Sequence, residues 1–230
     1  MQHLLLLHGA IGAKDQLLPL AEKLQHDFII HSLNFTGHGG EPMPAEPFSI
    51  ALFAGQVQQY MERHIPSGAT VALFGYSMGG YVGLYISRQT PGRFTKVITL
   101  ATKFNWDEPT AAKEVKMLEP DILLHKVPAF AAQLEQRHAP QDWKAVLKET
   151  TGMMLAMGKD NPLKPEDYAH IATPCLLLLG DRDKMVTLEE TVSVYKQLPQ
   201  AQMGVLPGTG HPLEQVNLEQ LAFQVRAFLS

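Results

Sequence analysis

Apolar residues recur along the chain in two alternating patterns. Six short runs rich in apolar residues have the length of strands: "HLLLLHG" (3–9), "DFIIHSLN" (27–34), "ATVALFG" (69–75), "KVITLA" (96–101), "PCLLLLG" (174–180) and "AQMGVLPG" (201–208). Such runs mark strands covered on both faces, as in parallel sheets. Between them the spacing turns helical. Residues 14–25 place Leu17, Leu20, Ala21 and Leu24 on one face, and 49–64, 78–89, 187–198 and 217–229 follow the same rhythm. Ser49 and Asn217 stand where N-caps belong, and Thr187 with Glu190 forms a capping-box pattern. "TGHGGEPMPAEP" (36–47) is a glycine- and proline-rich loop. The alternation predicts an α/β fold of three layers, with about six mainly parallel strands between helices. It lapses over 102–172, where the pattern predicts helices at roughly 109–118, 128–138 and 141–157. We expect one domain over 1–230, with 102–172 as a helical insertion. Insertions at the carboxyl ends of parallel strands lie over the ligand crevice, so this one is a candidate cap.

Composition narrows the class. Of 230 residues 45% are hydrophobic and 18% charged, the balance of a globular chain. A net charge of −4 without a like-charged block argues against a nucleic-acid groove or a polybasic membrane surface. The one cysteine, Cys175, excludes an intrachain disulfide. The leucines at the start follow no positively charged segment and are too few for a signal peptide or a membrane span. A cytoplasmic protein with a small-molecule substrate is expected. Oligomeric state is left open.

Three segments carry chemistry. In "FGYSMGG" (74–80), Gly75-Tyr76-Ser77-Met78-Gly79 sits between an apolar strand and a helical pattern. A strand turning abruptly into a helix strains its central residue and needs small neighbours two positions away, and it lifts Ser77 clear at the positive end of the helix. A serine hydroxyl needs a base, and the base needs an orienting carboxylate. "LLLLGDRDKMV" (176–186) offers Asp181 and Asp183; the spacing favours Asp183, which follows a turn and can point back, over Asp181, a turn former. "LPGTGHPLEQ" (206–215) offers His211 after the last strand. His38 in "TGHGG" precedes the serine and is assigned to loop structure or pocket lining. The loop after the first strand, at His8-Gly9, is expected to supply the backbone N–H of Ala10 as one oxyanion donor, with Met78 supplying the other. His8 then braces that loop by a hydrogen bond.

Together "LLHGAIG", "NFTGHGG", "GYSMGG", "GDRDKMV" and "GTGHPLE", in this order, resemble the α/β-hydrolase family over nearly the whole chain. The resemblance implies an α/β-hydrolase fold with Ser77 as nucleophile, Asp183 as acid, His211 as base, an oxyanion hole at Ala10 and Met78, and a helical cap. Three departures stand out. Asn34 and Gly40 occupy positions where relatives usually carry Asp and Ser. Ser77 replaces the Asp nucleophile of haloalkane dehalogenases. Tyr81 stands where menaquinone-pathway lyases of this fold often have Arg. Relatives usually carry an antiparallel strand pair ahead of the first strand; seven residues before His8 leave no room for it. A sheet lacking that hairpin is expected, the alternative being a start codon placed downstream of the true one.

The expected reaction is hydrolysis of a small or medium carboxylic ester or thioester through an acyl-enzyme on Ser77. No metal or organic cofactor is implied. The alternatives are carbon–carbon hydrolysis or elimination with the same triad, and a ligand-binding protein with a vestigial triad. Candidate pocket residues are Ile11, Tyr76, Trp106, Met153, Met154 and Met157, with Phe104, Met117, Phe130 and Trp143 as further apolar residues of the insertion. Lys103 and Arg137 are cations of the insertion available to an acidic substrate, but the sequence does not place them.

Overall fold

The computed structural model describes residues 1–230. Six strands form one sheet: β1 (His3–Leu7), β2 (Ile29–Ser32), β3 (Val71–Tyr76), β4 (Val97–Leu100), β5 (Cys175–Gly180) and β6 (Ala201–Leu206). Their order is β2-β1-β3-β4-β5-β6, and all five pairings are parallel. The registers are continuous; Leu5 lies beside Leu73, and Leu73 beside Val97. β1 therefore sits inside the sheet, one place from the edge. The helices outside the insertion are α1 (Leu18–Leu24), α2 (Ile50–His64), α3 (Met78–Gln89), α8 (Leu188–Gln197) and α9 (Leu218–Leu229).

The two faces explain the unbroken leucines of β1. Leu4 and Leu6 point into a core shared with Leu17, Leu20 and Leu24 beneath α1 and Leu221 and Val225 of α9. Leu5 and Leu7 point the other way, into a larger core with Phe53 and Val57 of α2 and Val82 of α3. Each fully buried leucine contributes about 1.5–3 kcal/mol, so either face alone would commit the strand. The helix starts follow the sequence. Ser49 Oγ accepts from Leu52 N–H at 3.1 Å, Asn217 Oδ1 from Gln220 N–H at 3.1 Å, and Thr187 and Glu190 complete their capping box.

Between β4 and β5 lie α4 (Glu108–Val115), α5 (Pro120–Lys126), α6 (Pro128–His138) and α7 (Trp143–Lys159). α4 and α7 contribute Ala111, Val146, Met153, Met154 and Met157 to the larger core. α5, α6 and the start of α7 enclose a separate cluster of Leu123, Ala131, Leu134, Trp143 and Leu147.

Several boundaries differ from the pattern. β1 ends at Leu7, before His8-Gly9, and β2 covers only Ile29–Ser32 of the apolar run 27–34. Residues Lys14–Leu17 form a 3-10 turn before α1, which takes Pro19 in its first turn. α5 lies outside the predicted helices: it is seven residues that begin at Pro120 and stop before Pro128, too short to show a period.

Because β1 is flanked by β2 on one side and β3 on the other, the chain reverses direction across the sheet between β1 and β3. The loops leaving the carboxyl ends of these two strands border a crevice, which is where open α/β sheets bind ligands.

Candidate active site

β3 delivers Ser77 to that crevice in a backbone conformation that L-residues avoid, φ 50° and ψ −116°. The turn is held at both ends. Ser77 N–H donates to Leu100 O of β4 at 2.8 Å; Thr102 Oγ1 donates to Ser77 O at 2.9 Å. The flanking glycines are steric requirements. A Cβ on Gly75 would lie 2.3 Å from Gly80 N, and one on Gly79 2.4 Å from Leu7 O. The helix α3 begins at the next residue, Met78.

β5 and β6 bring the other two residues together. His211 Nδ1–H donates to Asp183 Oδ2 at 2.8 Å, while Asp183 Oδ1 accepts the N–H groups of Met185 and Val186, each at 2.8 Å. Burial pushes the Asp183 carboxyl up, but these three donors more than offset it and hold its pKa below the usual value. The bond at Nδ1 leaves His211 Nε2 as the atom free to exchange a proton. Tyr76 Oη–H donates to His211 O at 3.0 Å and anchors that loop. Asp181 is turned away and accepts Thr209 N–H at 3.1 Å, closing the turn.

After β1 the chain makes a tight turn, Gly9–Gly12, closed by Gly12 N–H to Gly9 O at 3.2 Å. His8 is fully buried beneath it. Its Nδ1–H donates to Gly9 O at 2.8 Å and its Nε2 accepts Phe35 N–H at 3.1 Å. Acceptance at Nε2 requires the neutral ring, and burial, helped by His38 and His138 nearby, lowers its pKa well below the ordinary value. The carbonyl that His8 grips belongs to the same trans peptide as Ala10 N–H, so fixing one fixes the direction of the other. Of the two readings of His38, the structure bears out loop structure; it does not line the cavity described below. It is buried, donates from Nδ1 to Thr36 O at 3.1 Å, and is pushed down to about 4 mainly by burial.

One cavity of about 220 Å³ gathers these pieces. Ser77, His211, Ala10 and Met78 line it, with Asp183 behind His211. Of the expected pocket residues, Ile11, Tyr76, Trp106, Met153, Met154 and Met157 all face it, as does Phe130. Three others do not. Met117 is 66% exposed at the helical turn after α4, Trp143 is packed inside the satellite cluster, and Phe104 is taken into the larger core. Sequence reasoning missed Leu118, Gln16 and Glu214 on the wall; Glu214 lies in the segment that carries His211, three residues on, and the other two belong to no motif. The two cations on the wall differ. Lys103 is engaged, donating to Met185 O at 2.9 Å with Glu190 at 3.4 Å and Glu114 at 3.9 Å. Arg137 has only Asp15 and Glu214 near it, at 3.8 and 3.9 Å.

The departures from the family pattern also find reasons. Asn34 closes the glycine-rich loop by accepting Lys14 N–H at 2.8 Å and donating to Gly39 O at 3.0 Å. Gly40 has φ 85°, and a side chain there would collide with Ala139 O at 2.8 Å. Tyr81 points its hydroxyl at Asn161 and Leu163 N, tying α3 to the segment after α7. No group of three or more His, Cys, Asp or Glu is arranged to hold a metal ion. No helix is long and apolar enough to cross a membrane.

A parallel sheet with a strained serine after β3, a carboxylate after β5 and a histidine after β6 defines a class of fold. The chain belongs to the alpha/beta hydrolase family, whose model matches residues 4–222. It is 26% identical to a pimeloyl-[acyl-carrier protein] methyl ester esterase of Vibrio parahaemolyticus, over 98% of this chain and 93% of that one. It is 24% identical to Lipase 3 of a Moraxella species, over 90% of this chain and 71% of that one. Among solved structures, a thermophilic esterase from Thermogutta terrifontis superposes with a TM-score of 0.79 at 20% identity, over the whole of this chain and 89% of that one.

Proposed function

We propose that the protein hydrolyses a carboxylic ester or thioester of small or medium acyl length through an acyl-enzyme on Ser77. The observation that carries this is the Asp183–His211 hydrogen bond of 2.8 Å at the wall of the cavity that holds Ser77. Ser77 Oγ attacks the carbonyl carbon as His211 Nε2 takes its proton. The N–H groups of Ala10 and Met78 receive the oxyanion, each such donor contributing about 3–4 kcal/mol of transition-state stabilisation. His211 passes the proton to the leaving group, and water, activated by the same ring, releases the acid. Asp183 holds the Nδ1–H tautomer and stabilises the imidazolium. Residues 102–172 act as the cap, and their methionines form the acyl side of the pocket. A volume of about 220 Å³ lies below the usual range for ligand sites of roughly 300–1,000 Å³, which suits a short or medium chain. The relatives named by activity act on esters, and no observation favours carbon–carbon cleavage or elimination.

The test is active-site labelling followed by an ester panel. A fluorophosphonate probe should label the wild type and not Ser77→Ala, and His211→Ala should slow labelling by orders of magnitude. Rates on p-nitrophenyl esters should peak at short or medium acyl length. Unlabelled wild type, or labelling that survives Ser77→Ala, refutes the reading.

A further inference from the structure

We infer that His138, on the insertion, is a positioning residue for the oxyanion loop, so that the hole is complete only while the insertion is seated. The inference rests on the esterase reading above. Three observations converge on Ile11, the residue after Ala10. Ile11 is β-branched yet has φ 53°, a conformation such residues adopt only when their surroundings impose it. Its carbonyl oxygen accepts a hydrogen bond from His138 Nε2–H at 3.0 Å. Its side chain packs against the cluster enclosed by α5, α6 and α7. The insertion thus holds Ile11 by main chain and side chain together.

His138 is 1% exposed at the end of α6 and reaches two loops at once. Its Nδ1 accepts Gly39 N–H at 3.1 Å, so the ring bridges the loop after β1 to the glycine-rich loop after β2. Donor at Nε2 and acceptor at Nδ1 is the arrangement of the neutral ring. Burial, with Arg137 adding to it, lowers the His138 pKa and keeps it so, against the smaller pull of the Ile11 carbonyl and Asp15. His8 and His138 therefore grip the turn at both ends. His8 holds Gly9 O, and His138 holds Ile11 O two residues on. Between them lies Ala10, whose N–H must point at the developing oxyanion. Releasing Ile11 O lets its φ relax to negative values, which turns the Ala10–Ile11 peptide and, through Ala10, displaces the preceding peptide whose N–H is the donor. A shift of about 1 Å at such a donor is enough to lower turnover by about two orders of magnitude. His138 touches no substrate itself and acts through Ile11.

Three variants separate the two bonds. His138→Phe keeps the aromatic volume and loses both. His138→Gln keeps a donor near the Nε2 position, and His138→Asn keeps an acceptor near the Nδ1 position. On p-nitrophenyl butyrate we expect His138→Phe to lower kcat about 10- to 100-fold, with KM changed less than about twofold. His138→Gln should recover to within about threefold of wild type, and His138→Asn should not. Inhibition by a trifluoromethyl ketone, which binds as an oxyanion, should weaken in step with kcat/KM across the series. Hydrogen exchange over residues 8–13 should quicken in His138→Phe and return towards wild type in His138→Gln. The inference is overturned by a His138→Phe enzyme with wild-type kcat, by rescue through Asn rather than Gln, or by unchanged exchange over 8–13. The exchange measurement needs no turnover. Inactive wild type would refute the esterase reading alone, and the exchange result would still decide the role of His138.

Discussion

The cavity has two walls built on different principles. The sheet-side wall consists of short loops after β1, β3, β5 and β6, and the polar atoms that set its shape are spoken for: Ser77 N, Ser77 O, Gly9 O, both oxygens of Asp183 and both nitrogens of His8 are hydrogen-bonded. Ile11 and Ser77 are both held at positive φ there. Apart from Lys103 and Arg137, the insertion wall is apolar: Trp106, Leu118, Phe130, Met153, Met154 and Met157, held mainly by packing. Hydrogen bonds are directional and fix a group to tenths of an ångström, whereas methionine side chains re-pack around what they meet. For the proposed ester hydrolysis, the first wall suits a fixed reaction geometry and the second a variable acyl group.

The comparison is broken hardest at Asp183. Asp183→Asn keeps the shape but favours the wrong tautomer of His211, and kcat should fall about 10³- to 10⁴-fold with KM little changed. Steady-state kinetics on p-nitrophenyl butyrate decides this; a loss below tenfold would mean that the carboxylate does not orient the ring. Acid should disturb the sheet-side wall next. His8, His38 and His138 all have pKa values lowered by burial, so below pH 6.5 the unfolded chain binds more protons than the folded one. Stability is then complete above pH 6.5 and declines as pH falls towards about 4, the value for His38, at up to about 1.4 kcal/mol per pH unit for each histidine. Urea midpoints should drop between pH 7 and 5, and His38→Phe should flatten that dependence; equal midpoints would contradict it. The mildest change sharpens the other wall. Met154→Leu and Met157→Leu conserve volume and should cost less than about 1.5 kcal/mol in stability. They should alter the order of preference among acyl lengths more than the rate on the best ester, as an ester panel will show.

The same division governs what was legible in the sequence. Ser77, Asp183 and His211 each sit in a local pattern that folds on its own terms: a glycine-flanked elbow, a carboxylate after a strand-end turn, a histidine after the last strand. The leucine runs announced both faces of the sheet because both are buried. The insertion was harder. Met117 and Trp143 have the same apolar character as Met153 and Met154, and only the packing of α4 to α7 decides that the first faces solvent and the second fills a satellite core. His138 gave no signal, because its contacts come from residues 127 and 99 positions away. The neutral state of His8 and His38 was equally invisible, since it follows from burial that no local pattern encodes.

The twisted serine of the elbow has one more consequence, and it concerns how this chain could drift over evolutionary time. A residue held at φ 50° and ψ −116° costs of order 1–3 kcal/mol that glycine would not incur. On the proposed mechanism, therefore, the more stable protein and the working enzyme are different sequences at position 77. Selection for persistence alone would then favour a silent descendant with the same fold, and under that mechanism the serine stays only while its chemistry is needed.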